Sequence, residues 1–273
     1  MQLHSNPVGS RNLDRRALGQ TGLSLSKIGL GTVKFGRNQG VKYPESFALP
    51  DLKVLRNILE QARSLGINYL DTAPSYGLSE ERLGELLLGQ RKDWLIVGKV
   101  GEDFENGQSS YNFSCTHFES SLVRSLKRLR TDYVDVLLIH CDGSDLDILN
   151  NDDLIRAMQG FKDRGLVRAI GASTKTIDGG IRTLELMDVA MVAYNPTYTL
   201  EEPVLDYAAK NKKGVLIKKG LASGHLNQFN GEDPVKTALN FIFDHPGATS
   251  VVVGTINPAH LARNTEACAQ ASP

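Results

Sequence analysis

A chain of 273 residues, 41% hydrophobic and 23% charged, has the apolar content of an ordinary globular protein and the length of one large α/β or β domain, which excludes intrinsic disorder as its main state. Its 31 lysines and arginines balance 31 aspartates and glutamates, so no net field draws it to nucleic acid or to an anionic membrane, and a small molecule is the expected partner. Cys115, Cys141 and Cys268 are odd in number and form no C-x-x-C pair, which argues against a disulfide framework or a zinc site and suits a reducing compartment.

In chain order, the polar start MQLHSNPVGSRNLDRR lacks the apolar core of a signal peptide, and no stretch reaches the roughly 18 apolar residues of a membrane span, so a cytoplasmic location is expected. Residues 1–14 read as a flexible tail on a single barrel-like domain covering 1–273. RRALGQTGLSLSKIG then sets a glycine-bearing turn, Gly19 to Gly22, between alternating apolar residues. That pattern predicts a β-hairpin, placed to plug the N-terminal mouth of the barrel.

Eight short β-branched runs come next: Ile28 to Thr32, Ile67 to Asp71, Trp94 to Lys99, Tyr133 to His140, Val167 to Ala172, Val189 to Tyr194, Gly214 to Ile217 and Thr249 to Val253. Nearly continuous apolar runs suit strands buried on both faces, as in a parallel sheet. Helical spacing fills the gaps, at Leu52 to Leu65, from Ser79 through SEERLGELLLG, and at Phe118, Leu122, Leu126 and Leu129 behind a Ser114 N-cap. It continues at Leu154 to Phe161, Ile177 to Leu186, Val204 to Lys210, Val235 to Phe243 and Pro258 to Ala267. Ser79, ahead of Glu80 and Glu81, reads as a second N-cap. Eight strand–helix units predict an α/β fold of the (β/α)8 TIM barrel class with an N-terminal hairpin, a doubly wound sheet being the alternative. Three connections, Val33 to Leu49, Val100 to Phe113 and Cys141 to Asn151, are long polar loops, the first a candidate lid. Arg124, Lys127, Arg128 and Arg130 read as a solvated helix face.

A barrel of this class builds its site at the C-terminal ends of its strands. The second run ends at Asp71 and leads through Thr72, Ala73, Pro74 and Ser75 to Tyr76; the third ends at Lys99 and the fourth at His140. Singly, these read as a turn cap, a solvated lysine and a core histidine. Together they suit proton donation to a developing alkoxide: Tyr76 as acid, Lys99 lowering its pKa, Asp71 balancing Lys99, and His140 orienting a carbonyl oxygen. The group has no electron source, so a redox reaction requires a bound cofactor. No metal is expected, since no H-E-x-x-H motif or clustered cysteine pair occurs.

DTAPSYG, SEERLG, IVGKV and YVDVLLIH resemble the aldo-keto reductase superfamily, and the likeness runs from RRALGQTGLSLSKIGLGT to NPAHLARN. It implies a (β/α)8 barrel that binds NADPH, with NADH as the alternative, and reduces aldehydes or ketones. Its catalytic tetrad falls on Asp71, Tyr76, Lys99 and His140. It assigns cofactor contacts to Gly31, Thr32, Asp71, Ser173, Thr174 and Lys218, and at the adenosine end to Gly254, Thr255, His260, Arg263 and Asn264. Three positions depart from the family pattern: Thr174 replaces an asparagine, Met191 a glutamine, and Lys218 the aromatic under the nicotinamide. The resemblance leaves two other readings, an NAD-linked aldose or alcohol dehydrogenase and a cofactor-binding regulatory protein with negligible turnover.

Overall fold

The computed structural model describes residues 13–229 and 231–271. The expected hairpin is present as β1 (Arg15–Ala17) paired antiparallel with β2 (Ser24–Ser26). β3 (Ile28–Gly31) is followed by a short helix α1 (Val33–Gly36) and by α2 (Leu52–Ser64), then β4 (Tyr69–Asp71), α3 (Ser79–Leu86) and β5 (Leu95–Val100). A second hairpin, β6 (Glu102–Glu105) with β7 (Gln108–Tyr111), precedes α4 (Cys115–Leu129) and β8 (Val134–His140). The remaining units are α5 (Asp145–Leu149) with α6 (Asp152–Asp163), β9 (Val167–Ser173), α7 (Ile177–Leu186), β10 (Val189–Ala193) and α8 (Glu202–Asn211). β11 (Gly214–Lys218), α9 (Pro234–Asp244), β12 (Ser250–Val253) and α10 (Pro258–Ala269) complete them.

Strands β3, β4, β5, β8, β9, β10, β11 and β12 close into an all-parallel barrel in chain order, so the (β/α)8 reading holds and the doubly wound alternative does not. The period-2 alternation of each strand sorts its side chains between two cores. Tyr69, Val97, Val136, Leu138, Val189 and Leu216 point into the barrel, while Leu70, Ile96, Leu137, Ile139 and Ile217 pack outward under the helices. Leu18, Leu23 and Leu25 of the first hairpin join the inner cluster, which closes the barrel's N-terminal end as expected. Leu18 is fully buried there. Leu18→Ala is expected to destabilise the chain by about 2–5 kcal/mol, read as a shift in the denaturation midpoint, because a cavity beneath the rigid strands cannot fully collapse.

Some expectations hold and others are corrected. Ser114 caps α4, accepting from the His117 N–H at 3.2 Å. Ser79 is instead the first residue of α3, and its hydroxyl donates to Thr32 Oγ1 at 2.7 Å, tying the helix start to the end of β3. The 100–113 loop is a hairpin, since Asn106 and Gly107 both take positive φ, 51° and 82°, the turn that an Asn-Gly pair favours. The 33–49 loop opens with α1, and α5 lies within 141–151. The basic face of α4 is not merely solvated: Arg128 reaches the fully buried Glu80 at 3.5 Å, and Arg124 contacts Asp103. Of the proposed tail, residues 1–12 lie outside the described residues, whereas Leu13 is buried in the core. Among the described residues no helix is long and apolar enough to cross a membrane, no group of three or more His, Cys, Asp or Glu side chains is placed to hold a metal, and the cysteines are unpaired.

Candidate active site

The same alternation that builds the inner core places the polar residues. Two positions beyond Tyr69, Val97, Leu138 and Leu216, on the same inward face, stand Asp71, Lys99, His140 and Lys218 at or next to the C-terminal ends of their strands, and Met191 follows Val189 in the same way in the middle of β10. Tyr76 arrives from the side, on the 3-10 turn Pro74–Tyr76 after β4. That turn ends at Gly77, with φ of 61° and an α carbon so close to the Gly36 carbonyl that a Cβ would lie 2.3 Å from its oxygen. A side chain there would push the tyrosine away.

Lys99 is 1% exposed and directs its ammonium at three acceptors: direct contact with Asp71 Oδ1, the Thr72 carbonyl at 3.1 Å and the Tyr76 hydroxyl oxygen at 3.0 Å. The Tyr76 hydroxyl in turn donates to Asp71 Oδ2 at 3.3 Å. Burial, and after it the Asp71 charge, hold the phenol well above its ordinary value. Lys99, in contact with the hydroxyl oxygen, favours the phenolate as expected, but burial and Asp71 outweigh it and the net shift is upward.

His140 sits edge-on to Tyr76, with ring centroids 6.4 Å apart. Its Nδ1 lies 2.7 Å from Glu102 Oε2, and the other oxygen of that carboxylate is 3.9 Å from Arg37. Burial pushes the Glu102 carboxyl up, but the adjacent His140, followed by the Ser109 and Ser75 hydroxyls, outweighs it and holds the group at about 2. Burial holds the imidazole below its ordinary value, against the opposing pull of Glu102.

A cavity of about 770 Å³ starts at these residues and runs past Ser173, Met191 and Lys218 to Gly254, Thr255, His260, Arg263 and Asn264. Gly31, Thr32 and Thr174, expected to touch the cofactor, do not line it. Thr32 is buried behind the wall and donates to the Asp71 carbonyl at 2.8 Å. Thr174 is fully buried with an unpartnered hydroxyl. Lys218 donates to Ser173 Oγ at 3.0 Å and to the Thr174 carbonyl at 2.5 Å, and burial lowers its amine to about 8. At the far end Arg263 is paired with Asp233 at 3.2 Å, and both side chains are about half exposed. The 33–49 segment packs as a wall, with Lys34 4.0 Å above the Tyr43 ring and Tyr43 against Gly254.

The volume, the lining that runs from Ser173 to Asn264, and Arg263 in the first turns of α10 fit an extended dinucleotide. Sequence reasoning missed Glu102, Arg37, Tyr43 and Tyr111, all of which line the cavity. A signal was present for two of them, because the Asn-Gly at 106–107 announces a hairpin that carries Glu102 and Tyr111.

The model of the aldo/keto reductase family matches residues 27–234. The chain is 29% identical over 235 residues to the aldo-keto reductase YhdN of Bacillus subtilis, covering 81% of this chain and 68% of the relative. It is 34% identical over 231 residues to the L-galactose dehydrogenase of Arabidopsis thaliana, covering 79% and 68%. A solved structure from Pseudomonas aeruginosa, described as an aldo-keto reductase, superposes with a TM-score of 0.86 at 50% identity, over 96% of this chain and 98% of that one.

Proposed function

We propose, for a chain that belongs to the aldo/keto reductase family and is therefore an NAD(P)H-dependent oxidoreductase acting on a carbonyl or an alcohol, that it reduces small aldehydes or ketones with NADPH. We further propose that it works as a single barrel domain in the cytoplasm. The observation carrying this reading is the hydrogen-bonded chain of Asp71, Lys99 and Tyr76 at the inner end of the cavity.

A bound nicotinamide supplies the hydride. The chain's own residues handle the proton. Tyr76, whose raised pKa keeps its hydroxyl protonated at neutral pH, donates to the developing alkoxide. Lys99 steadies the phenolate that remains, and Asp71 balances Lys99. His140, which lines the same end of the cavity from β8, would adjoin the reacting oxygen. Ser173 and Lys218 would hold the carboxamide end; Gly254, Thr255, His260, Arg263 and Asn264 would hold the adenosine end. Gly31, Thr32 and Thr174 would support those contacts from behind.

Oxidation of NADPH and NADH against a panel of aldehydes and ketones, and the reverse reaction with alcohols and aldoses, tests the reading. NADPH-linked reduction is expected to be fastest. NAD-linked alcohol oxidation alone would overturn it in favour of the dehydrogenase reading, which the partial commitment of Arg263 to Asp233 favours. Binding without turnover in either direction would favour a regulatory role.

Cofactor preference gives a further expected result. A 2′-phosphate needs a cation, and Arg263 is shared with Asp233, so NADPH should bind more tightly than NADH by a modest factor, about tenfold. Arg263→Ala should abolish the difference in a fluorescence titration. Equal affinities in the unmodified chain would contradict the assignment.

A further inference from the structure

Two ammonium groups reach the inner end of the cavity, and their charges are met differently. Lys99 lies against Asp71 and forms a buried ion pair. Lys218, the last residue of β11, reaches past β10 to Ser173 Oγ at 3.0 Å and the Thr174 carbonyl at 2.5 Å. Both of those partners are neutral, and among the described residues no carboxylate forms an ion pair with Lys218. Glu201 and Asp145 act on it only from farther off, and Lys219 opposes them. Burial lowers its amine to about 8, which leaves it mostly charged at neutral pH.

This unmatched charge stands close to the reacting atoms. Ser173 pairs with His140 across β8 and β9 and with Met191 across β9 and β10. The ammonium bound to Ser173 is therefore one strand from His140, whose ring is edge-on to Tyr76. A nicotinamide must present its hydride to the carbon whose oxygen meets Tyr76, while the rest of the dinucleotide extends to Gly254 and Asn264. On the β9–β11 side, the wall between those two ends is Ser173, Met191 and Lys218. The nicotinamide end falls beside the Lys218 ammonium.

The two redox forms of that ring differ by one charge: the oxidised ring is a cation and the reduced ring is neutral. A hydrogen bond from Lys218 to a carboxamide oxygen serves both forms. Repulsion between like charges acts on the oxidised form alone, and within the barrel mouth water screens it less than in bulk. In the reduced ring the nitrogen also feeds electron density toward the carboxamide oxygen, which makes that oxygen the better acceptor. Both effects have the same sign.

We propose that Lys218 selects the redox state of the cofactor: its unpaired ammonium makes the cavity hold the reduced dinucleotide more tightly than the oxidised one, and so speeds departure of the oxidised form after each reduction. This rests on the reading that the cavity binds a nicotinamide at its inner end. Lys218 makes and breaks no covalent bond and keeps its protons. The hydride passes from the reduced ring to the carbonyl carbon, and the proton passes from Tyr76 to the carbonyl oxygen. Because positive charge grows on the ring during that transfer, the same ammonium should slow the hydride step while it speeds release.

The test is fluorescence titration of the full chain with NADPH and with NADP+ at neutral pH. The unmodified chain should bind NADPH at least about tenfold more tightly, the effect of one like charge nearby in a partly desolvated site. Lys218→Met should remove that preference, chiefly by tightening NADP+, and Lys218→Arg, which keeps the charge, should retain it. A lysine that only packs or donates a hydrogen bond would, on removal, weaken both forms alike and leave their ratio unchanged; that result would overturn the proposal. Equal affinities in the unmodified chain would also overturn it, and that measurement decides even if a variant does not fold. When bound NADP+ is chased by excess NADPH, release should be slower from Lys218→Met than from the unmodified chain, the opposite of what a damaged site gives. Release that is unchanged or faster counts against the proposal. The affinities are read without turnover, so the two readings fail separately. A chain with the preference that reduces no carbonyl would refute the carbonyl-reductase reading, and one that reduces carbonyls but binds both redox forms equally would refute only the role of Lys218.

Discussion

Replacing Tyr76 by phenylalanine is expected to cut turnover by at least about a hundredfold while leaving the affinity for NADPH unchanged. The substitution removes one oxygen. That oxygen accepts from Lys99 at 3.0 Å and donates to Asp71 at 3.3 Å, and its proton is the one available to a substrate oxygen at this end of the cavity. The ring is retained, so the edge-on packing against His140 is kept and the wall does not collapse. A hydroxyl that burial and Asp71 keep protonated suits an acid and makes a poor resting base. Reduction should therefore hold up across neutral pH in the unmodified chain as far as Tyr76 is concerned. Stopped-flow hydride transfer in Tyr76→Phe within a few fold of the unmodified rate would remove Tyr76 from the mechanism. A parallel loss of NADPH binding would show that the hydroxyl shapes the pocket instead of supplying a proton.

The site was legible in the sequence because strand parity and strand ends are one-dimensional signals. Asp71, Lys99 and His140 each close an apolar run, and a barrel brings such ends together whatever the helices outside do. The two cores arise from the same period. What the sequence did not show depends on where a loop folds back. Glu102 lies three positions past Lys99, at the start of a hairpin that turns it toward His140, and only its Asn-Gly turn betrays the hairpin. Tyr43 is in the middle of a long segment whose course over Gly254 no local pattern encodes. The direction of the Tyr76 shift is not legible either, because the desolvation that dominates it depends on how deeply the closed barrel buries the phenol. Lys99 reaches the phenol with its charge already matched by Asp71. Ser79 has the pattern of a cap because it precedes two glutamates, yet its hydroxyl is drawn to Thr32, which is 47 residues earlier and in contact only once the barrel closes.

Lys99→Met should damage both the fold and the chemistry, and the two effects can be separated. Lys99 and Asp71 are 1% and 3% exposed, and the ammonium is the one cation in contact with that carboxylate among the described residues. Removing one partner of a buried pair leaves the other's charge uncompensated, at a cost of about 3–5 kcal/mol. That loss should appear directly in the denaturation midpoint. Because the penalty comes from the stranded charge, adding Asp71→Asn should restore much of the stability: the remaining amide can still accept from Tyr76, and no net charge is left in the wall. Activity should not return with it. The phenolate formed as Tyr76 gives up its proton loses the donor 3.0 Å away, which costs on the order of 10²–10³ in turnover, the range for one donor to a developing oxyanion. Without the ammonium, the Tyr76 limb of the pH profile should move upward, since the remaining influences, burial and nearby negative charge, already push it that way. A double variant that regains stability but stays inactive assigns Lys99 to the reaction. One that regains both would mean the lysine serves the fold alone, and a single variant as stable as the unmodified chain would mean that Lys99 and Asp71 do not form a buried ion pair.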